Sequence, residues 1–135
     1  MAILGNLGNY KNFGLLVARI GLGVMFIYHG IPNLTGGMRT WTDLGHATTH
    51  IGIHIWPAFW GLMCAVTETF GGFLIIIGLA FRPVCFLMVI TMIVAALSQF
   101  YPHHDLGAAS HAIEDAFTFF GLLFVGPGQY SADKK

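Results

Sequence analysis

Four apolar stretches of this sequence are each long enough to cross the hydrocarbon core of a lipid bilayer. A core of about 30 Å needs about 20 mostly apolar residues in a helix. The stretches lie at about residues 13–34, 56–80, 83–101 and 107–126. None of them alternates apolar and polar residues as a barrel strand does, and in lipid the backbone must then be satisfied within helices. We predict an all-α membrane protein, a four-transmembrane-helix bundle forming one domain over residues 1–135.

The scarcity of charge excludes three other classes of protein. Only 9% of the residues are charged, whereas a soluble domain carries roughly a quarter. Six Lys and Arg residues balance six Asp and Glu residues, so there is no basic face to bind nucleic acid. A hydrophobic content of 56% excludes a disordered chain. The expected environment is the lipid bilayer.

The basic residues outside the spans predict the orientation of the bundle. With both termini in the cytoplasm, the cytoplasmic side carries Lys11, Arg82, Lys134 and Lys135. The external side then carries only Arg39. Because basic residues accumulate on the cytoplasmic side, we predict an N-in, C-in arrangement.

The first external connection, about residues 35–55, is too long for a tight turn. We expect it to hold a short helix that lies flat at the membrane surface, with Thr42 or Asp43 as its N-cap. On such a helix His46, His50 and His54 would recur at every fourth position and share one face.

Histidines are concentrated in the two external connections, which leaves two interpretations open. Imidazoles at helical i, i+4 spacing can bind zinc, copper or nickel, and a metal or haem site is one of them. The other is that these side chains are simply solvated at the interface. The candidate ligands are His46, His50, His54, His103 and His104.

Polar residues within the predicted spans mark a second candidate site. Counting residues from the cytoplasmic ends of the spans puts one group of them in a layer about 6 Å thick, slightly outside the midplane. That layer contains Glu68, Glu114, His29 and His111, and Arg19 lies about 9 Å further in. Ionisable side chains at this depth pair with one another, face the bundle interior and often mark function.

The buried polar layer can be interpreted in two ways. Two carboxylates at one depth either share a proton or are neutralised by a cation such as Arg19 or His29. Such a layer can serve only to fix the register of the helices. It can also form a proton-accepting pocket beside a quinone-like headgroup.

Several short motifs, in order along the chain, resemble those of the DoxX family of small bacterial membrane proteins. They are Arg19-x-x-Leu22-Gly23, His29-Gly30, Asn33-Leu34, Glu68-x-x-Gly71-Gly72, Gly78-Leu79-x-x-Arg82 and Gly126-Pro127-Gly128-x-Tyr130-Ser131-x-Asp133. Glu114 also stands where the fourth helix of the family often carries a glutamate. The sequence departs from the family at Asn33, where lysine is common, and in the histidine-rich first external loop.

The resemblance implies a four-helix protein of the bacterial inner membrane. It also implies a redox-linked role, associated with quinone or electron transfer, as an accessory subunit of an oxidoreductase complex rather than a stand-alone enzyme. The alternative is a structural or assembly subunit that has no cofactor of its own. In either case the expected partners are other membrane subunits or further copies of this chain.

Overall fold

A computed structural model describes residues 3–101 and 103–133 of the chain. Over these residues the chain is helical and contains no strand. The α-helices are α1 (Lys11–Thr35), α2 (Gly37–Gly45), α3 (Pro57–Ile77), α4 (Phe81–Phe100) and α5 (Leu106–Val125). Shorter 3₁₀ segments span Gly5–Tyr10 and His46–Ile51. Lys134 and Lys135, which contributed to the predicted orientation, lie outside the described residues.

Four of the helices, namely α1, α3, α4 and α5, are long and apolar enough to cross a membrane. The predicted four-helix membrane architecture is therefore confirmed. The second span was expected to run to Ala80, but α3 ends at Ile77. Gly78 follows with φ of +69°, which closes the helix because the N–H groups of Gly78 and Leu79 both bond to the carbonyl of Leu74, at 2.8 and 3.1 Å.

The first external connection does hold a short helix, as predicted, but its N-cap was predicted wrongly. Helix α2 already begins at Gly37, so Thr42 and Asp43 lie inside it rather than at its start. The Thr42 hydroxyl bonds back to the carbonyl of Met38 at 2.8 Å, as hydroxyls inside helices often do.

The membrane-spanning helices pack as two pairs, α1 with α3 and α4 with α5. Helices α1 and α3 are in backbone contact at Gly23 and Gly72, where a Cβ on Gly23 would lie 2.6 Å from the Gly72 carbonyl oxygen. Such small residues allow close approach of helices in lipid. The pairs are joined at the end of the bundle where α3 turns into α4. This end is predicted to face the cytoplasm and is called the inner end below. Across the described residues, no Cα of α1 comes within 8 Å of a Cα of α5.

The segment after α5 folds back across the inner end of the bundle. Its backbone N–H groups bond to α1, through Gln129 and the Asn12 side chain at 3.2 Å, and to the end of α3, through Ala132 and the Ile77 carbonyl at 2.9 Å. The Asp133 carboxylate accepts bonds from the N–H groups of Ala80, the N-cap residue of α4, and Phe81, its first residue, at 3.0 and 2.8 Å. These groups have no partner within the helix, so the Asp133 side chain caps the start of α4.

Candidate functional site

A cleft of about 1750 Å³ separates the two helix pairs. It is possible because α1 and α5 stay apart and meet only through side chains, the rings of Phe26 and Phe119 lying edge to face at 5.1 Å. Apolar side chains such as Leu22 and Met92 line much of the cleft, and polar side chains from α1, α3 and α5 point into it. A mostly apolar pocket with a few polar groups is the usual form of a small-molecule site.

Glu68 is the most deeply buried acidic group of the cleft. Its side chain on α3 is only 9% exposed. The Asn33 amide on α1 donates a hydrogen bond to Oε2 at 3.2 Å, and the Cys64 thiol, one turn earlier on α3, donates to Oε1 at 3.8 Å. Both carboxylate oxygens therefore have a neutral donor. Such donors orient Glu68 without supplying a positive charge.

His29 on α1 lines the cleft and interacts electrostatically with two of its acidic groups, Glu68 on α3 and Asp115 on α5. His111, one helical turn before Asp115, also lines the cleft and interacts with that carboxylate. The structure thus brings together three of the residues predicted for the buried polar layer, His29, Glu68 and His111.

Glu114 does not join this group, and the prediction that it shares a buried layer with Glu68 is wrong. Its side chain is exposed, and the carboxylate of α5 that lines the cleft belongs to Asp115. Glu114 and Asp115 are adjacent in α5 and therefore lie at nearly the same depth, but successive residues of an α-helix point about 100° apart. The direction of the Glu114 side chain was therefore predicted wrongly. His111 and Asp115, at i and i+4, share the face that looks into the cleft.

Arg19 is likewise not a partner of Glu68. Its side chain is completely buried at the inner end of the bundle, beside Gly78, and Nη2 donates a hydrogen bond to the carbonyl of Tyr130. Nε and Nη1 have no hydrogen-bond partner among the residues that the structure describes. Arg19 thus holds the C-terminal segment against α1 and α3, a role that span counting does not reveal.

The external histidines do not lie on one helical face. Helix α2 ends at Gly45, His46–Ile51 is a 3₁₀ segment, and Gly52 with φ of +86° ends that segment before His54. A 3₁₀ segment has three residues per turn, so positions four apart do not align. The structure instead stacks the ring of His50 on Tyr101, with centroids 5.0 Å apart and planes 4° from parallel.

The remaining external histidines lie in different places. His46 lines the outer part of the cleft, and His54 and His103 are exposed. His104 lies edge-on to Phe100, with ring centroids 5.4 Å apart. Over residues 3–101 and 103–133, no three His, Cys, Asp or Glu side chains are grouped as metal ligands.

The charges of the cleft are of one sign. The acidic side chains Asp43, Glu68 and Asp115 line it, and of the described residues no Lys or Arg does. The only basic side chains on its surface are imidazoles, including His29 and His111. The cleft can accept protons and hydrogen bonds but offers no strong site for an anion.

Comparison with known proteins identifies the family. The family model of DoxX matches residues 14–101, about two thirds of the chain. The chain belongs to the DoxX family. The matched range runs from the first turn of α1 to the end of α4 and includes His29, Asn33 and Glu68, whereas Asp115 lies beyond it. No curated protein and no solved structure matches the chain.

Three residues of the cleft were missed by the sequence analysis. Asn33 entered the prediction only through the family pattern, Cys64 was not among the predicted site residues, and Asp115 was passed over for its neighbour. A signal was present in the spacing of two of them. Cys64 precedes Glu68 by four residues and His111 precedes Asp115 by four, and both spacings place a polar pair on one helical face.

Proposed function

We propose that this DoxX protein binds a lipid-soluble quinol in its cleft and accepts a proton from it through Glu68. The observation that carries the proposal is the placement of Glu68. A carboxylate that is nine-tenths buried, between membrane-spanning helices and without a Lys or Arg in the described lining of its cleft, is well suited to take up a proton. The protein would be a redox-linked subunit of the bacterial inner membrane.

The chemistry balances when the protein works within a larger complex. Oxidation of a quinol to a quinone releases two protons and two electrons. The Glu68 carboxylate takes the first proton directly from a quinol hydroxyl, and His29, which lines the same cleft and interacts electrostatically with Glu68 and Asp115, takes the second. The electrons pass to a redox centre in a partner subunit of the complex. In this scheme the chain takes up the protons and the partner subunit takes up the electrons, so the chain is an accessory subunit.

The proposal predicts a difference between the reduced and the oxidised ligand. A carboxylate only accepts hydrogen bonds, so it favours the hydroxyl groups of a quinol. In the variant Glu68→Gln, the amide can donate to the carbonyl of a quinone. We expect this substitution to weaken the binding of quinol about tenfold, about 1.4 kcal/mol, and to leave the binding of quinone within about threefold.

Binding of decylubiquinol and decylubiquinone to the purified protein tests this expectation, with the fluorescence of Trp60 in the cleft wall as the signal. Glu114→Gln is the matched control, because it removes an exposed carboxylate outside the cleft. Absence of saturable binding to the wild type would overturn the proposal and favour a structural or assembly subunit. An equal loss for quinol and quinone would show that Glu68 does not act through its charge.

A further inference from the structure

The outer end of the cleft is covered by the connection between α1 and α3. Helix α2 packs against α3 so closely that a Cβ on Gly61 would overlap the carbonyl of Trp41. The indole N–H of Trp41 bonds to the carbonyls of Asn33 and Leu34, at 3.1 and 3.3 Å. Beyond α2, the 3₁₀ segment reaches α4 through the stack of His50 on Tyr101. Helix α2 and the segment His46–Ile51 therefore cover the outer end of the cleft, and we call them its roof. A ligand from the aqueous phase meets packed backbone there.

Two sides of the cleft are sealed along the helix pairs. Between α1 and α3, Gly23 contacts Gly72, and further out a Cβ on Gly30 would lie 2.7 Å from the backbone nitrogen of Thr69. Helices α4 and α5 are in similarly extensive contact. No ligand can pass through either of these seams without separating the helices.

The third side, between α3 and α4, is narrow. These helices are joined by a short turn at the inner end, where Met88 packs on Gly71. Further out, the larger side chains of Met63, Leu87 and Ile90 line the gap between them. The 3₁₀ segment contacts both helices at their outer ends.

The fourth side, between α1 and α5, is the widest. Their Cα atoms stay more than 8 Å apart throughout the described residues, and the side-chain contact between Phe26 and Phe119 bridges them. Small residues line the cleft beside this gap at two depths, Gly21 on α1 further in than the contact between Phe26 and Phe119, and Ala108 and Ala112 on α5 further out. Apart from the neighbouring backbone of α1, a Cβ on Gly21 would meet no atom of the described residues within 4 Å, so space lies beside it.

We propose that the ligand of the cleft enters sideways from the bilayer, through the gap between α1 and α5. This inference rests on the proposed function, because it takes the cleft to be a ligand site. A ligand that takes this route must first dissolve in the bilayer. We therefore expect an apolar molecule whose headgroup is uncharged and forms hydrogen bonds. Behind the gap such a headgroup meets His29, His111 and Asp115 before it reaches Glu68 on the far wall.

A bulky side chain at the edge of the gap tests the route. In Gly21→Trp the indole occupies the space beside α1, and both association and dissociation of decylubiquinone should slow at least about tenfold. Because an obstacle on the route changes both rates alike, the equilibrium affinity should stay within about twofold. The measurement is stopped-flow quenching of tryptophan fluorescence with the protein in phosphatidylcholine vesicles.

Matched variants separate the possible outcomes. Gly14→Trp lies two turns further in on the same face of α1, has equally free space and does not line the cleft, so it should keep the wild-type rates. Ala108→Trp obstructs the outer part of the gap from α5 and should slow exchange as well, which guards against misfolding of one variant. Gly121→Trp, outside the cleft on α5, is its control.

Failure of this inference differs from failure of the proposed function. If decylubiquinone binds the wild type but Gly21→Trp and Ala108→Trp exchange it at wild-type rates, the lateral route is wrong and the site stands. If Leu87→Trp, in the gap between α3 and α4, slows exchange instead, the ligand uses that gap. If nothing binds the wild type, both proposals fall together.

Discussion

The side-chain amide of Asn33 on α1 donates a hydrogen bond to the carboxylate of Glu68 on α3, with 3.2 Å between Nδ2 and Oε2. This bond crosses the seam between the two helices and ends at the most deeply buried carboxylate of the cleft. The partner of Glu68 across this seam is a neutral amide, so the bond orients the carboxylate and supplies no positive charge to it.

The first prediction is that Asn33 and Glu68 are energetically coupled. Asn33→Ala removes the donor and Glu68→Met removes the acceptor, so the double variant should lose less stability than the sum of the single losses. We expect a coupling free energy of about 1 kcal/mol, the usual size for one such bond. Thermal unfolding of the four proteins in one detergent measures it.

A matched cycle with Thr91→Ala and Glu68→Met controls for general effects of the substitutions. Thr91 also lines the cleft, but its hydroxyl bonds to the carbonyl of Leu87 on its own helix, at 2.9 Å. This second cycle should show no coupling. Additive losses in the Asn33 cycle would mean that the bond contributes nothing to the folded state.

The second prediction concerns the seam between α1 and α3. A methyl group on Gly30 would lie 2.7 Å from the backbone nitrogen of Thr69 and would overlap its hydroxyl oxygen. Backbone atoms cannot move aside cheaply, so Gly30→Ala should force the helices apart and cost about 1–3 kcal/mol. The midpoint of thermal unfolding should fall accordingly.

Gly21→Ala is the control for that substitution. It adds the same methyl group to the same helix, but no atom of the described residues lies within 4 Å of the new Cβ. Alanine favours a helix more than glycine does, so stability should stay the same or rise by up to about 1 kcal/mol. Similar melting behaviour of the two variants would contradict the observed packing of α1 on α3.

The sequence allowed the helices to be predicted, because a membrane span is recognised by counting apolar residues along one chain. It did not allow the directions of the polar side chains to be predicted with the same accuracy. Glu114 and Asp115 are neighbours at one depth, and only the rotation of α5 against α4 decides which of them enters the cleft. That rotation depends on side-chain packing between helices, which leaves a weak trace in so uniformly apolar a sequence.

The environment of Arg19 shows a second limit. Its partner, the carbonyl of Tyr130, lies 111 positions further along the chain in a segment without helical periodicity. A charged side chain within a predicted span was expected to pair with the nearest opposite charge. Instead it is covered by a segment that returns from the far end of the chain, a long-range contact that periodicity does not encode.

The third prediction concerns the cap that this segment places on α4. The Asp133 carboxylate accepts bonds from the N–H groups of Ala80 and Phe81, at 3.0 and 2.8 Å. Asp133→Ala leaves both donors unsatisfied and should lower the free energy of unfolding by about 1–2 kcal/mol. Asparagine retains an oxygen acceptor and caps helices well, so Asp133→Asn should recover most of the loss. Equal losses in the two variants, measured by thermal unfolding, would argue against the capping role.

The last prediction concerns the orientation in the membrane. Basic residues favour a cytoplasmic N-terminus, which places α2 outside and the 3₁₀ segment Gly5–Tyr10 inside. Met38 in α2 and Leu7 in that segment are both well exposed, so a cysteine at either position can react.

In a background with Cys64→Ser and Cys85→Ala, Met38→Cys should react with a membrane-impermeant maleimide in intact spheroplasts. Leu7→Cys should react only after lysis, and labelling of both variants after lysis shows that each thiol is accessible. The opposite pattern would reverse the bundle and place the roof of the cleft, with His46 and His50, on the cytoplasmic side.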